Sequence, residues 1–96
     1  MKVKIKDIAA GMSNLSVEGK IIEKDESRKV NTRYGAKRVT NAILQDDTGE
    51  IDLVLWEDQI DSVDVGDEIE IENAYSTQWK GKLQLNIPRK GKISKK

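Results

Sequence analysis

The sequence predicts an all-β domain, a five-stranded Greek-key barrel with a short helical connector between its third and fourth strands. Three observations carry that prediction. Strict alternation of apolar and polar residues marks "EIDLVLWE", "DEIEIEN" and "KLQLNI" as half-buried strands. Turn-forming clusters of Asp and Gly separate the alternating runs at short intervals. Eleven Ile, seven Val and six Leu can fill a small barrel without aromatic rings, of which the chain has two Trp, two Tyr and no Phe.

The first strand is "SVEGKIIEKDES", where a glycine in mid-strand, Gly19, signals a bulge or a sharp bend. The basic stretch "RKVNTRYGAKR" follows and is read as a long loop. The second strand is "RVTNAILQD", whose pattern leaves open whether Ile43 or Leu44 faces inward. "DDTG" then makes a hairpin turn, with Asp46 and Asp47 favouring the turn and Gly49 expected at positive φ. In the third strand Ile51, Leu53 and Leu55 share one face, while Asp52, Val54 and Trp56 share the other. "EDQIDSVDVGD" connects onward, with Ile60 and Val63 spaced to cap the core from one helical turn and Gly66 turning the chain. Ile69 and Ile71 point inward from the fourth strand, and Leu83, Leu85 and Ile87 from the fifth. This order is the plan of the OB-fold, which binds single-stranded nucleic acid on its second and third strands and on the loops joining strands one to two and four to five.

Composition narrows the function. Ninety-six residues fit one domain, taken as 1–96, with a single core. With no Cys and no His, the chain cannot form disulfides, thiolate zinc sites or Cys-His and Ser-His catalytic pairs. No apolar run is long enough to span a bilayer, so no membrane association is expected and a cytoplasmic location is, nucleoid-associated if the chain binds DNA. The net charge is zero, yet the charges are segregated. Arg28, Lys29, Arg33, Lys37 and Arg38 form an acid-free stretch, and Lys80 to Lys96 holds seven bases and no acid. Between them, Asp46 to Glu72 holds twelve acids and no base. One cationic and one anionic face are expected, and such a local field steers a polyanion more than the net charge does.

The rings are the second clue to function. Trp56 lies on the outward parity of its strand, Tyr34 in the basic stretch, and Trp79 in the turn after the fourth strand. Alternation alone would put Tyr75 on the inward side with Ile69 and Ile71, unless the strand bulges. Aromatics beside bases suit a single strand, because every base has a π-face and Lys or Arg neutralises phosphate. Candidate stacking residues are therefore Trp56, Trp79 and Tyr34, joined by Tyr75 if its strand bulges, and candidate phosphate contacts are Arg28, Lys29, Arg33, Lys37, Arg38, Lys80 and Lys82. Gln84 and Asn86, outward on the fifth strand, are candidates for hydrogen bonds to base edges or sugars. Half-buried rings at a barrel mouth and ordinary solvated strand positions are the competing structural readings.

"NAILQDDTGEIDLVLWEDQ", "VGDEIEIENAYSTQWKGKLQLN" and "MSNLSVEGKIIEK" together resemble the DNA-binding OB domains of archaeal single-stranded DNA-binding proteins and archaeal replication protein A. The resemblance covers almost the whole chain and implies binding of single-stranded DNA with little sequence preference, in replication, recombination and repair. It also implies base stacking at Trp56, Tyr75 and Trp79. The sequence stops at "GKISKK" without the glycine-rich, acidic tail of single-domain members, so a minimal protein or, preferred here, one barrel of a tandem array is expected. Other OB domains of the same protein and replication or repair proteins are then the expected partners. An RNA-binding OB module would use the same groove, and a protein-interaction OB domain is a third class. An enzyme is not expected: "DDTG" is the nearest approach to paired carboxylates and serves a turn, and neither metal nor cofactor is implied.

Overall fold

Seven strands form one sheet in the computed structural model, which describes residues 2–96. They are β1 (Leu15–Lys24), β2 (Arg28–Thr32), β3 (Gly35–Asp46), β4 (Gly49–Trp56), β5 (Glu68–Trp79), β6 (Lys82–Asn86) and β7 (Lys92–Lys95). A four-residue helix, α1 (Asp58–Asp61), connects β4 to β5. The ladder runs β1–β3–β4–β6–β5, and β5 pairs back onto β1, so five strands close a ring. Every pairing between these strands is antiparallel except β4 with β6, the long-range pairing that makes the order Greek-key. The five predicted strands are β1, β3, β4, β5 and β6, and the helical connector lies where expected.

Closure depends on β1 serving two partners. Its first half pairs with β5 and its second with β3, with Lys20 opposite both Glu68 and Gln45. The strand must bend there, and Gly19 permits it: a Cβ on Gly19 would stand 2.7 Å from the Gln45 carbonyl oxygen and 2.9 Å from Leu44 Cγ. Gly19 is thus the site of the bend, and the bulge lies further on, at an extra residue in β1 between Ile21 and Glu23.

Inward residues agree with the alternation. Leu53, Leu55, Ile69, Ile71 and Leu85 are fully buried, and Ile60 and Val63 close one end of the core from α1 and the turn after it. Leu44 faces inward and is fully buried, whereas Ile43 is outward and half-buried, which resolves that pair. Two polar residues buried with the core, Thr40 and Ser76, donate their hydroxyls to the carbonyls of Asp25 and Ala9.

Three expectations are corrected. The basic stretch is not an open loop: β2 and an extension of β3 form a hairpin, Arg28 opposite Val39 through Thr32 opposite Gly35. The segment beyond the fifth predicted strand carries a further strand, β7, on the free edge of β5. Gly49 does not take positive φ, because the "DDTG" turn is anchored differently. The Asp46 carboxylate accepts hydrogen bonds from the Thr48 and Gly49 amides, the Thr48 hydroxyl and the Ile5 amide. Burial would push that carboxyl up, but these donors outweigh it and hold it below the usual range. Side-chain anchoring of the turn takes the place of a left-handed backbone.

Candidate nucleic-acid interface

Cross-strand partners share a face, so the ladder register assembles the outer surface row by row. Asn41, Val54, Asn86 and Tyr75 form one row across β3, β4, β6 and β5. Ile43, Asp52, Gln84 and Thr77 form the next. Beyond it lie Lys82 and Trp79, and on the opposite side Val39 and Trp56. At ~6.6 Å for two residues along a strand, Trp56 and Trp79 are three rows, on the order of 20 Å, apart. Tyr75 stands between them.

Tyr75 is outward because β5 bulges. Val17 pairs with Ile71 but Leu15 with Ala74, so β5 carries one residue more than β1 between those pairs. Asn73 absorbs it at φ 58°, in the left-handed region that Asn tolerates better than most residues. Parity flips after it: Ala74 and Ser76 become buried and Tyr75 is 40% exposed.

Trp79 sits at the end of β5, before a two-residue turn in which Lys80 (φ 51°) and Gly81 (φ 80°) are both left-handed. Such a turn matches the twist of its strands and fixes the hairpin. Trp79 is 61% exposed, and the Lys80 ammonium lies 4.6 Å from its ring centroid. That contact is worth about 0.5–1 kcal/mol at an exposed site. The indole lines a depression of about 340 Å³ with Ile43, Asp52, Lys82 and Gln84.

Trp56 ends β4 and is half-buried. Its amide donates to Gln59 Oε1 at 3.0 Å, and Gln59 Nε2 donates to the Ile87 carbonyl at 3.1 Å. The ladder between β4 and β6 stops at Val54 and Asn86, so the Gln59 amide takes over beyond it as an inserted side-chain link. Glu57, next in the chain, adopts φ 53° and ψ −124°, a strained conformation for any residue but glycine. It is held by paired hydrogen bonds with the Arg38 backbone, through its own amide and its carboxylate. Trp56 lines a second depression, about 560 Å³, with Tyr34, Lys37, Glu57, Asp58, Ile87 and Arg89.

Tyr34 is 81% exposed at the tip of the β2–β3 hairpin. Thr32 Oγ1 accepts from the Tyr34 amide and donates to the Gly35 carbonyl, while Gly35 takes φ 106°. Register divides the bases of this hairpin between its two faces. Arg28 is opposite Val39, on the side of Trp56, and donates to Asn41 Oδ1 at 3.3 Å; Lys37 lines the Trp56 depression. Lys29 and Arg38 are opposite one another on the reverse side, where Arg38 pairs with Asp61 at 3.0 Å. That hydrogen-bonded pair raises the Arg38 pKa further. Arg33 lies in the turn.

The expected separation into a cationic and an anionic face is only partial. Lys82 and Lys80 adjoin Trp79, but Lys92 and Lys95 belong to β7, laid along the acidic edge of β5, and Lys95 and Lys96 pair with Asp67 and Glu18. Conversely Asp52 lies in the middle of the outer face with its side chain 21% exposed, 3.7 Å from Lys82 Nζ. Glu23 and Asp25 border the same depression. The alternation that turns Val54 and Trp56 outward carries Asp52 with them. Gln84 and Asn86 are half-buried there, and Asn86 Nδ2 donates to Thr77 Oγ1 at 3.0 Å. Arg89 and Gln59 at the Trp56 depression were not singled out from sequence. Arg89 stood within the second basic run, and Gln59 gave no signal because its link depends on where α1 turns back.

The chain matches the family model for Ssb-like single-stranded DNA-binding proteins of the OB fold over residues 10–95. It is 34% identical over 94 residues to the single-stranded DNA-binding protein Ssb of Saccharolobus solfataricus, a match that takes in 98% of this chain and 64% of that protein's length. Among solved structures it superposes on the OB domain of a Thermoplasma acidophilum protein with TM-score 0.87 and 26% identity, covering 99% of this chain and 86% of that one. On the replication factor A related protein from Methanobacterium thermoautotrophicum the TM-score is 0.84 at 23% identity, covering 100% of this chain and 91% of the other. With the closed strand ring described above, these matches define the fold and the lineage: the chain belongs to the Ssb-like family of single-stranded DNA-binding OB-fold proteins.

Proposed function

We propose that this domain binds single-stranded DNA with little sequence preference, as a non-catalytic component of DNA replication, recombination and repair. The observation that carries the proposal is the register that puts Trp56, Tyr75 and Trp79 on one outward face, along a path that spans four rows. Each ring stacks one base, at ~1–3 kcal/mol per stack by alanine substitution, without regard to base identity. Tyr34 supplies a further ring from the hairpin tip. Arg28, Arg33, Lys37, Lys80 and Lys82 neutralise phosphates at the edges of the path, whereas Lys29 and Arg38, on the reverse of the hairpin, act on the strand only at longer range. Gln84 and Asn86 offer amide groups to base edges or sugars. Asp52 in the floor repels phosphate, so the strand lies with its bases against the sheet and its backbone toward the bases of the rim.

The test is a titration of a ~12-nucleotide single strand against its duplex and against RNA of the same sequence. Binding of the single strand at least tenfold tighter than the duplex is expected, with a log-log salt slope near −0.7 per phosphate neutralised. Equal affinity for duplex would overturn the stacking model, and tighter binding of RNA would transfer the function to that nucleic acid.

A further inference from the structure

We propose that Tyr34 and Trp56 are the two walls of a clamp that holds one and the same base. The inference rests on the single-strand reading above and goes beyond it, since that reading treats each ring as an independent platform. Both rings line the depression of about 560 Å³ at the end of β4, within the ~300–1,000 Å³ typical of small-ligand sites. Tyr34 is 81% exposed, so its ring is not packed against neighbouring side chains. Lys37 and Arg89 line the same depression as point contacts for the nucleotide's phosphate, which must lie on their side of it, away from Glu57 and Asp58.

The walls differ in freedom. The backbone that carries Trp56 is held by the Gln59 link to Ile87 and by the Glu57 contacts with Arg38. Tyr34 rides on a hairpin whose outer strand, β2, pairs only with β3 among the described residues. A base can therefore enter against the indole and be covered by movement of the hairpin. Stacking on both faces would hold this nucleotide more tightly than those on Tyr75 or Trp79.

A clamp and a pair of separate platforms differ in how mutations combine. If the rings share one base, removing Trp56 releases the base and leaves Tyr34 nothing to cover, so the losses do not multiply. The experiment is a cycle of Tyr34→Ala, Trp56→Ala and the double variant, read by fluorescence anisotropy with a labelled ~12-nucleotide single strand. Tyr34→Ala combined with Trp79→Ala serves as the reference pair. We expect Tyr34→Ala to weaken binding about fivefold, Trp56→Ala about tenfold, and the double variant little more than Trp56→Ala alone. Tyr34→Phe retains affinity, and the reference pair multiplies. Losses that multiply for Tyr34 and Trp56, or Tyr34→Ala within twofold of wild type, overturn the clamp while leaving single-strand binding in place. Failure of the wild type to bind the strand overturns the functional reading itself, and the clamp with it. Because Tyr34 is exposed at a hairpin tip, its variants fold, and circular dichroism confirms that each protein compared is native.

Discussion

Two hairpins present an aromatic ring and lysine or arginine at their tips, but they are built on different support. The β5–β6 hairpin belongs to the closed ring: β6 lies between β4 and β5, and β5 reaches across to β1. The β2–β3 hairpin extends beyond the ring, with β2 bound to one neighbour. Trp79 thus ends a hairpin whose strands are paired on both sides up to Ala74 and Gln84, whereas Tyr34 is carried by one whose outer strand has a neighbour on one side only. Rigid stacking platforms belong on the first kind of support, because less ordering entropy is lost on binding. A ring that must close over a base belongs on the second.

The turn glycines offer the largest test of that contrast. Gly35 and Gly81 both have positive φ, and neither would clash through an added Cβ, since no heavy atom lies within 4 Å. The backbone penalty of Gly→Ala in the left-handed region, roughly 1–2 kcal/mol, should therefore be similar at the two sites. Gly81→Ala strains a hairpin that is integral to the ring, so its full cost should appear in denaturant unfolding. Gly35→Ala can relieve its strain by local fraying of the β2–β3 tip, so global stability should fall by less than half as much. Binding should weaken with both. Equal losses of global stability would show that the β2–β3 hairpin is as much a part of the cooperative unit as β5–β6.

The same contrast explains what could be read from sequence. Strands β4, β5 and β6 pack a core on one side only, so alternation revealed them and the outward parity of Trp56. Strand β2 has no buried residue, and Val30 and Thr32 alternate with Lys29 and Asn31 without a core to enforce the pattern. It was consequently read as a loop. Four-residue β7 was missed for the same reason, being half-exposed along its length. Tyr75 is the instructive intermediate case. Alternation from Ile69 and Ile71 pointed it inward, and only a bulge could reverse this; the bulge falls on Asn73, the residue in "ENAY" most tolerant of left-handed φ. Long-range register was out of reach: nothing local shows that β6 runs parallel to β4, or that Asp52 consequently lies beside Gln84 and Lys82.

Asp52 provides a smaller test, since it puts a negative charge on the floor beside Trp79. A phosphate ~8 Å away across water-like surroundings is repelled by about 0.5 kcal/mol, close to twofold in affinity. Asp52→Asn should therefore tighten single-strand binding about twofold at low salt, and the gain should vanish as ions screen it. Asp61→Asn, which releases Arg38 on the reverse side of the hairpin, is the matched control and should change binding less. If Asp61→Asn gives the larger gain, the strand must wrap onto that reverse side, and the two faces of the β2–β3 hairpin would lose their distinction.

The smallest effect expected near neutral pH is that of pH itself, because the shifted carboxylates lie away from both hairpin tips. Glu18 is hydrogen-bonded by Lys2 and Lys96, which lowers its pKa to about 2, and Lys2 also meets Glu70. Asp47 is lowered by Lys4, and Asp67 by the Asp64 amide and Lys95. A carboxyl with a lower pKa folded than unfolded contributes its stability above the unfolded value. That contribution is lost as pH falls from about 4.5 toward about 2 for Glu18, and as it falls below 3.8 for the aspartates. With no His in the chain, Tm and single-strand affinity should both be flat between about pH 5.5 and 8. Below that range Tm should decline, less steeply in Glu18→Gln, whose charge pairs are already gone, and less steeply at high salt, because these pairs are exposed. The ion pairs tie the chain ends to β1 and β5, so acid weakens ring closure and with it the support of Trp79. Apart from the Glu57 and Asp61 carboxylates that hold Arg38 at its base, the β2–β3 hairpin depends on backbone pairing and the Thr32 hydroxyl, so fluorescence from a probe on the Tyr34 turn should stay constant between about pH 5.5 and 8. A transition at the hairpin between pH 5.5 and 8, with the ring intact, would instead reveal a titrating contact at its tip.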